Sequence, residues 1–214
     1  MKNTVKTLFI ILSILITGAT LAVERNVAPY SKAINSPDVV ALDIMTNALS
    51  SLKKLRKKNQ VTSENIEALI ETKLLPHIAI DVAMRLTLEK YWDGFNSQQK
   101  KAFQQYITAS LINDYAGILS TYKQLDDIKI STHPKIKRKG NKAIVKLFIA
   151  FNDSQTPLKI TLKMIRSSHW RVYDLVFSGV SLIKNYKAQF NSHIKRKGMD
   201  SLIKKINKKI KNNV

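Results

Sequence analysis

The side chains in this sequence that are equipped for chemistry are few, and their spacing suits little of it. His77 and Asp81 stand four residues apart, a spacing that can put two metal ligands on one helical face. Two donors are too few for a metal, and Pro76 puts His77 at the very start of its helix, so the pair reads as surface. His133, His169 and His193 have no partner at a recognised spacing. A Gly-rich phosphate loop, a serine nucleophile elbow and a paired-carboxylate motif are all absent. The chain has no cysteine, which removes thiol catalysis, Cys-ligated zinc and an acyl-cysteine anchor.

Asp174 is the one acid inside a strand pattern, on the same parity as Trp170, Val172 and Val176. A carboxyl buried among apolar groups has a raised pKa and can serve as a base. Curved-sheet cone folds of the ketosteroid-isomerase type use that device. One reading therefore makes Asp174 the base of an enzyme acting on a small apolar substrate. The other has it accept a hydrogen bond from a neighbouring backbone or tyrosine group. What surrounds Asp174 is bulk rather than reactive groups: VYDLVFSGVSLIKNYKAQF, from Val172 to Phe190, passes from a strand through a Ser-Gly corner into a helix.

The elements that would position these residues fall into blocks. From Asp38 to Lys58 the sequence predicts a helix, with Pro37 just inside its start. A second helix begins at a Ser63 cap and runs until Pro76 breaks it. Ala79 to Leu88 is a short helix leading to Tyr91 and Trp92. Ser97 to Tyr122 is a long helix opened by an Asn96–Gln99 capping box. Along it Phe103, Tyr106, Ile107, Leu111, Tyr115, Ile118, Leu119 and Tyr122 recur at three- and four-residue steps. This helical block covers 37–122.

Over 127–177 the texture changes to strands: Ile128 to Thr132, Ala143 to Phe151, Leu158 to Ile165 and Trp170 to Phe177. Lys139-Gly140-Asn141 and Asn152-Asp153-Ser154 supply turns. Helices return over 181–211, at Ser181 to Arg196 and Met199 to Lys211. The order predicts an α+β fold: a curved antiparallel four-stranded sheet with helices packed on one face, flanked by N- and C-terminal helices.

Lys2 and Lys6 precede an uncharged apolar run from Leu8 to Ile16, and Thr20-Leu21-Ala22 has the small-residue pattern of a cleavage site. We expect residues 1–22 to be a signal peptide and 23–214 to form a single exported domain. In a Gram-negative cell its address is the periplasm. Net charge is +21, which fits a negatively charged partner such as anionic headgroups or nucleic acid, and equally the Lys-, Ile- and Asn-rich usage of an AT-rich genome. Only seven of the 36 basic residues are Arg, the usual reader of base edges, and export also argues against nucleic acid. In the last helix Met199, Leu202, Ile203, Ile206 and Ile210 form one face, and Lys204, Lys205, Lys208, Lys209 and Lys211 the other. Such a helix either makes transient contact with an anionic membrane surface or packs on its own domain with its lysines solvated.

The stretch SGVSLIKNYKAQFNSHIKRKGMDSLI, from Ser178 to Ile203, resembles the signature of the MlaC family, also called toluene-tolerance proteins. LLPHI at Leu74 to Ile78, LTLEKYW at Leu86 to Trp92 and HWRVYDLVFSGVS agree with it. The chain departs from the family pattern at Ser178, where an acid is frequent, and at Glu89 and Ser201, where glycine is. The resemblance implies a fold related to nuclear transport factor 2 (NTF2-like). It also implies a periplasmic phospholipid carrier that is not an enzyme and has no cofactor beyond its phospholipid cargo. Its implied partners are an inner-membrane ABC transporter with an MCE-domain subunit and an outer-membrane lipoprotein–porin complex. The implied role is to maintain outer-membrane lipid asymmetry.

A carrier of this kind needs an apolar wall rather than reactive groups. On that reading the acyl chains line against the even-parity face of the last two strands and the corner: Ile160, Leu162, Val172, Val176, Val180 and Ile183. Tyr106, Leu111, Tyr115 and Leu119 of the long helix stand opposite, with Tyr91 and Trp92 near the mouth. Two other readings stay open: the Asp174 enzyme, and a basic surface-binding protein without cargo.

Overall fold

Reciprocal capping fixes the start of the longest helix. Asn96 N donates to Gln99 Oε1 at 3.0 Å, and Gln99 N donates to Asn96 Oδ1 at 2.9 Å. Two of the helix's orphan N-terminal donors are thus satisfied. The computed structural model describes residues 36–121, 127–151 and 156–212, with the backbone alone over 111–121 and at 212. The expected signal peptide, Tyr122 and the Asn152-Asp153-Ser154 turn lie outside the described residues.

Six α-helices are described: α1 (Pro37–Lys57), α2 (Ser63–Leu69), α3 (Ile80–Leu88), α4 (Ser97–Thr121), α5 (Leu182–Lys197) and α6 (Met199–Asn212). The cap of α2 is Thr62, whose hydroxyl accepts from Asn65 N, rather than Ser63. Beyond α2 the chain continues as a π-turn over Ile70–Leu74 and a 3-10 turn over Leu75–His77, so Pro76 ends helical pairing as its missing donor requires.

The sheet has β1 (Lys129–Thr132), β2 (Lys137–Lys139), β3 (Lys142–Ala150), β4 (Leu158–Arg166), β5 (Trp170–Phe177) and β6 (Val180–Ser181). The pairings between these strands are antiparallel, in the order β1-β3-β4-β5-β6, with β2 also on β3, and an isolated parallel bridge joins Ile78 to Val172 of β5. The expected four strands are present, and two short ones bring the sheet to six. Neither addition carries an alternating apolar signal. β2 is Lys137-Arg138-Lys139, exposed throughout, and β6 is two residues long.

One irregularity decides which way the last strand faces. Met164 pairs with Val172 but Lys163 pairs with Asp174, so Tyr173 is an extra residue opposite a single step of β4. A bulge of this kind inverts the alternation beyond it. Trp170 and Val172 therefore share a face with Leu162 and Met164, and so do Leu175 and Phe177. Asp174 and Val176 point to the other face, with Lys163 and Thr161. The single parity expected for Trp170, Val172, Asp174 and Val176 does not hold.

The apolar side chains gather in three clusters. Ala41 of α1, with Val40 and Met45 beside it, packs on the sheet face made by Ala143, Val145, Leu147, Leu162, Met164 and Trp170. The four C-terminal and central helices, α3 to α6, build a second cluster around Phe103, Tyr106, Tyr186, Phe190, Leu202 and Ile206. Phe190 is its hub, with ring centroids 5.6 Å from Phe103, 6.1 Å from Tyr106 and 6.0 Å from Tyr186. Contacts of this geometry add to the area that the rings bury. The third cluster joins α1 to α2 and the π-turn through Leu52, Ile66, Leu69 and Ile70.

Candidate functional site

The corner after β5 is a two-residue hairpin turn. Ser178 and Gly179 both have positive φ, 47° and 79°, between Phe177 and Val180, which pair across the turn. Left-handed backbone at both central positions matches the twist of the flanking strands, and glycine adopts it without strain. The chain then enters α5, with Ser181 as its cap. Ser181 Oγ accepts from Lys184 N at 3.2 Å.

Asp174 holds this corner in place. The residue as a whole is 4% exposed. Oδ2 accepts from Lys163 Nζ at 2.8 Å and from Ser181 Oγ at 2.7 Å, while Oδ1 accepts from Ile183 N at 3.2 Å. Three donors on two oxygens satisfy a buried charge that would otherwise be costly. The carboxylate also lies at the N-terminus of α5, where the helix dipole favours negative charge. Asp174 is therefore an anchor that ties β4, β5, β6 and α5 together. Its expected bond from a neighbouring backbone group is present.

Across the corner runs a row of apolar residues on one sheet face. Leu147 pairs with Ile160, Ile160 with Phe177, and Phe177 with Val180. Directly paired residues stand side by side on the same face. Along that row Leu147 is fully buried, Ile160 and Phe177 are half-buried, and Val180 is 56% exposed. The next row repeats the trend, from buried Val145 and Leu162 to half-buried Leu175. α1 packs against β1 and β3, and α3, α5 and the Leu75–His77 turn meet β5, so the exposed end of the row is at Val180 of β6. A half-buried apolar row that runs from a filled core to an exposed valine is a candidate place for an apolar ligand or partner.

The structure separates the residues that the sequence grouped as one wall. Ile160, Leu162, Val172 and Val180 share the apolar face, and Leu162 is part of the filled core. Val176 lies on the opposite face because of the bulge at Tyr173. Ile183 sits half-buried in the first turn of α5, its amide bound to Asp174. Tyr106 is packed among the helices against Phe190, not within the sheet cluster. Tyr91 and Trp92 lie in the 3-10 segment Glu89–Gly94 on that same helical cluster, under the ammonium groups of Lys90 and Lys100. The side chains of Leu111, Tyr115 and Leu119 lie outside the described residues. Leu175 and Phe177 belong on the apolar face and escaped the sequence argument, since nothing in VYDLVF signals the extra residue.

His77 and Asp81 do not form a ligand pair. Asp81 Oδ1 is 3.8 Å from Arg171 Nη1, and His77 is held below its ordinary pKa by burial and by the charge of His169. Among the described residues no group of three or more His, Cys, Asp or Glu is placed to hold a metal. Among them, too, no helix is long and apolar enough to cross a membrane.

Known proteins resemble this chain in sequence and in fold. The family model described as MlaC protein matches residues 43–208. The chain is 21% identical over 201 residues to the intermembrane phospholipid transport system binding protein MlaC of Haemophilus influenzae, an alignment covering 92% of this chain and 88% of that one. Its fold superimposes with a TM-score of 0.73 on a phospholipid-binding protein from Ralstonia solanacearum solved in complex with a phospholipid. The two are 18% identical, and the match covers 83% of this chain and 98% of the other.

Proposed function

The chain belongs to the MlaC family, and from that premise we propose that it is a phospholipid carrier working between two membranes. The observation that carries the proposal is the row Leu147–Ile160–Phe177–Val180, which leads from a filled core to an exposed valine. Acyl chains lie along the half-buried part of that face, at Ile160, Val172, Leu175 and Phe177, and the headgroup stays outside. Val180 and Ile183 border the site at the corner. Leu111, Tyr115 and Leu119 on α4, with Tyr91, Trp92 and Tyr106, belong to the helical side of the same proposal.

The energetics suit a carrier. Each methylene removed from water contributes about 0.8 kcal/mol, so a 16-carbon chain gains on the order of 12 kcal/mol before ordering costs. A bilayer offers its lipid nearly the same environment, so transfer between carrier and membrane is close to balanced. No covalent step is needed in this chain. Direction comes from the partners, for which we propose an inner-membrane ABC transporter with an MCE-domain subunit and an outer-membrane lipoprotein–porin complex. In this reading residues 1–22 direct export and are removed, and the mature chain serves outer-membrane lipid asymmetry from the periplasm.

The Asp174 enzyme loses its footing, because both oxygens of that carboxylate are engaged in anchoring the corner. Mass spectrometry of an organic extract of the purified mature chain tests the carrier. Phospholipid in amounts approaching that of the protein is expected, and an extract free of lipid overturns the reading.

A further inference from the structure

The apolar face of α6 is already occupied. Leu202 and Ile206 are 2% and 1% exposed in the helical cluster, with Met199, Ile203 and Ile210 packed against it. The helix therefore has no free apolar stripe to insert into a bilayer. Its other face is exposed and basic: Lys204, Lys205, Lys208, Lys209 and Lys211, with Asn207 among them. The last turn of α5 adds exposed Lys195, Arg196 and Lys197, one residue from the start of α6. Asp200 is the only acid from Leu182 to Asn212.

These charges act at one place. His193 of α5 meets Ser201 of α6, Nε2 to Oγ, at 3.1 Å. Its pKa is held below the ordinary value by desolvation and then by Lys205, Lys197 and Arg196, against an opposing hydrogen bond to the Ser201 backbone. One lysine of α6 and two cations of α5 thus act on the same imidazole, which itself bridges the two helices through Ser201. Lys204 and Lys208, and Lys205 and Lys209, are also like-charged pairs at i,i+4, an arrangement that destabilises an isolated helix. The helix dipoles favour the cations in the last turns of α5 and α6, but not Lys204, Lys205 and Lys208 farther back along α6.

We propose that the lysine face of α6, with the last turn of α5, docks the protein by electrostatics on the surface of an anionic lipid bilayer. The chemistry of the face favours a bilayer over an acidic protein. Seven of its eight cations are Lys, a strongly hydrated point charge, and not the planar Arg suited to bidentate pairing. Protein interfaces are organised around buried aromatic or apolar anchors and are poor in Lys. The exposed positions of α6 are Lys, Asn and Asp, so no such anchor is offered. A headgroup layer presents diffuse negative charge and asks for no pocket.

The proposal goes beyond the carrier reading, and one experiment separates the two. The purified chain is centrifuged with vesicles of pure phosphatidylcholine or of phosphatidylcholine rich in phosphatidylglycerol, at low and physiological salt, and its bound phospholipid is measured in parallel. Binding to the anionic vesicles alone, weakened by salt, is expected. Changing Lys204, Lys205, Lys208 and Lys209 together to Gln removes four exposed charges and should lower partitioning on the order of a thousandfold at low salt. Changing the same four to Arg should preserve binding.

A matched variant with Lys135, Lys137, Lys139 and Lys142 changed to Gln, all exposed around the β2–β3 hairpin, should bind like the parent. Equal loss in both Gln variants would assign binding to net charge and overturn the proposal. Absence of binding by the parent chain would also overturn it, leaving the face to an acidic protein. Failure of the carrier reading shows separately, as an extract without phospholipid whatever the vesicles do.

Discussion

Lys163 and Asp174 meet across β4 and β5 with Nζ 2.8 Å from Oδ2, on the face of the sheet opposite the apolar row. The lysine side chain is 29% exposed and the aspartate 2%. The pair sits where β5, the Ser178–Gly179 turn and α5 converge, so the carboxylate sets the direction in which the corner leaves the sheet.

Asp174→Asn keeps the shape and removes the charge. The amide cannot accept from Lys163, Ser181 and Ile183 together, and one buried donor loses its partner. Lys163 can turn to water, which limits the loss to about 2 kcal/mol. Thermal unfolding should then shift down by about 4–8 °C. A variant as stable as its parent would show that the carboxylate does not hold the corner.

The bulge at Tyr173 makes a prediction about two valines of nearly equal exposure class. Val172 lies on the apolar face and Val176 on the other. A glutamate at Val172 places charge where the proposed acyl chain runs, and burying an unpaired carboxylate is prohibitive. Val172→Glu and the more exposed Val180→Glu should therefore lose co-purified phospholipid, while Val176→Glu retains it. Lipid per protein by mass spectrometry is the measurement. A reversed order for Val172 and Val176 would show that the cargo lies on the polar face.

These contrasts mark where the sequence could be read and where it could not. Capping by Asn96 and Gln99, the stop at Pro76 and the alternation of β4 are local signals, and each forms as its residues dictate. The bulge is different in kind. It depends on how β5 registers against β4, and no residue between Val172 and Asp174 announces it. One unseen residue moved Asp174 and Val176 to the other face and brought Leu175 and Phe177 in. Likewise β2 pairs through its backbone although all three side chains are basic, a pairing that no hydrophobic pattern reveals. Tyr106 obeyed its helical period, but the period specifies only that a face is buried. It does not specify that the face meets α5 and α6 rather than the sheet.

Glu89 carries backbone strain. Its φ is 42° and ψ −113°, at the end of α3, a region that disfavours any side chain. Against this, its carboxylate pairs with Lys187 on α5, but both groups are partly exposed and such pairs are worth at most about 1 kcal/mol. Glycine at this position removes strain of about 1–3 kcal/mol, so Glu89→Gly should stabilise by about 1 kcal/mol net. Lys187→Met removes the ion pair alone and should lower stability slightly. Unfolding midpoints of the two variants check the balance. Destabilisation by Glu89→Gly would mean that the tie to α5 outweighs the strain.

His193 is a reporter of the lysine field. Desolvation, then Lys205, Lys197 and Arg196, hold its pKa below the ordinary value. Removing a neighbouring positive charge relieves the imidazolium, so Lys205→Gln should move the His193 pKa upward in an NMR titration. The shift should stop short of the ordinary value, since desolvation remains. Lys139→Gln on the β2–β3 hairpin should leave it unmoved. The sign for stability follows from linkage: a depressed folded-state pKa means the unfolded chain binds the proton first. Stability from this group is complete above its unfolded pKa and falls as pH drops through the window between the two values. Lys205→Gln should narrow that window. An unchanged His193 pKa in Lys205→Gln would show that the lysines of α6 do not form one field with the end of α5, and the docking face would lose its electrostatic basis.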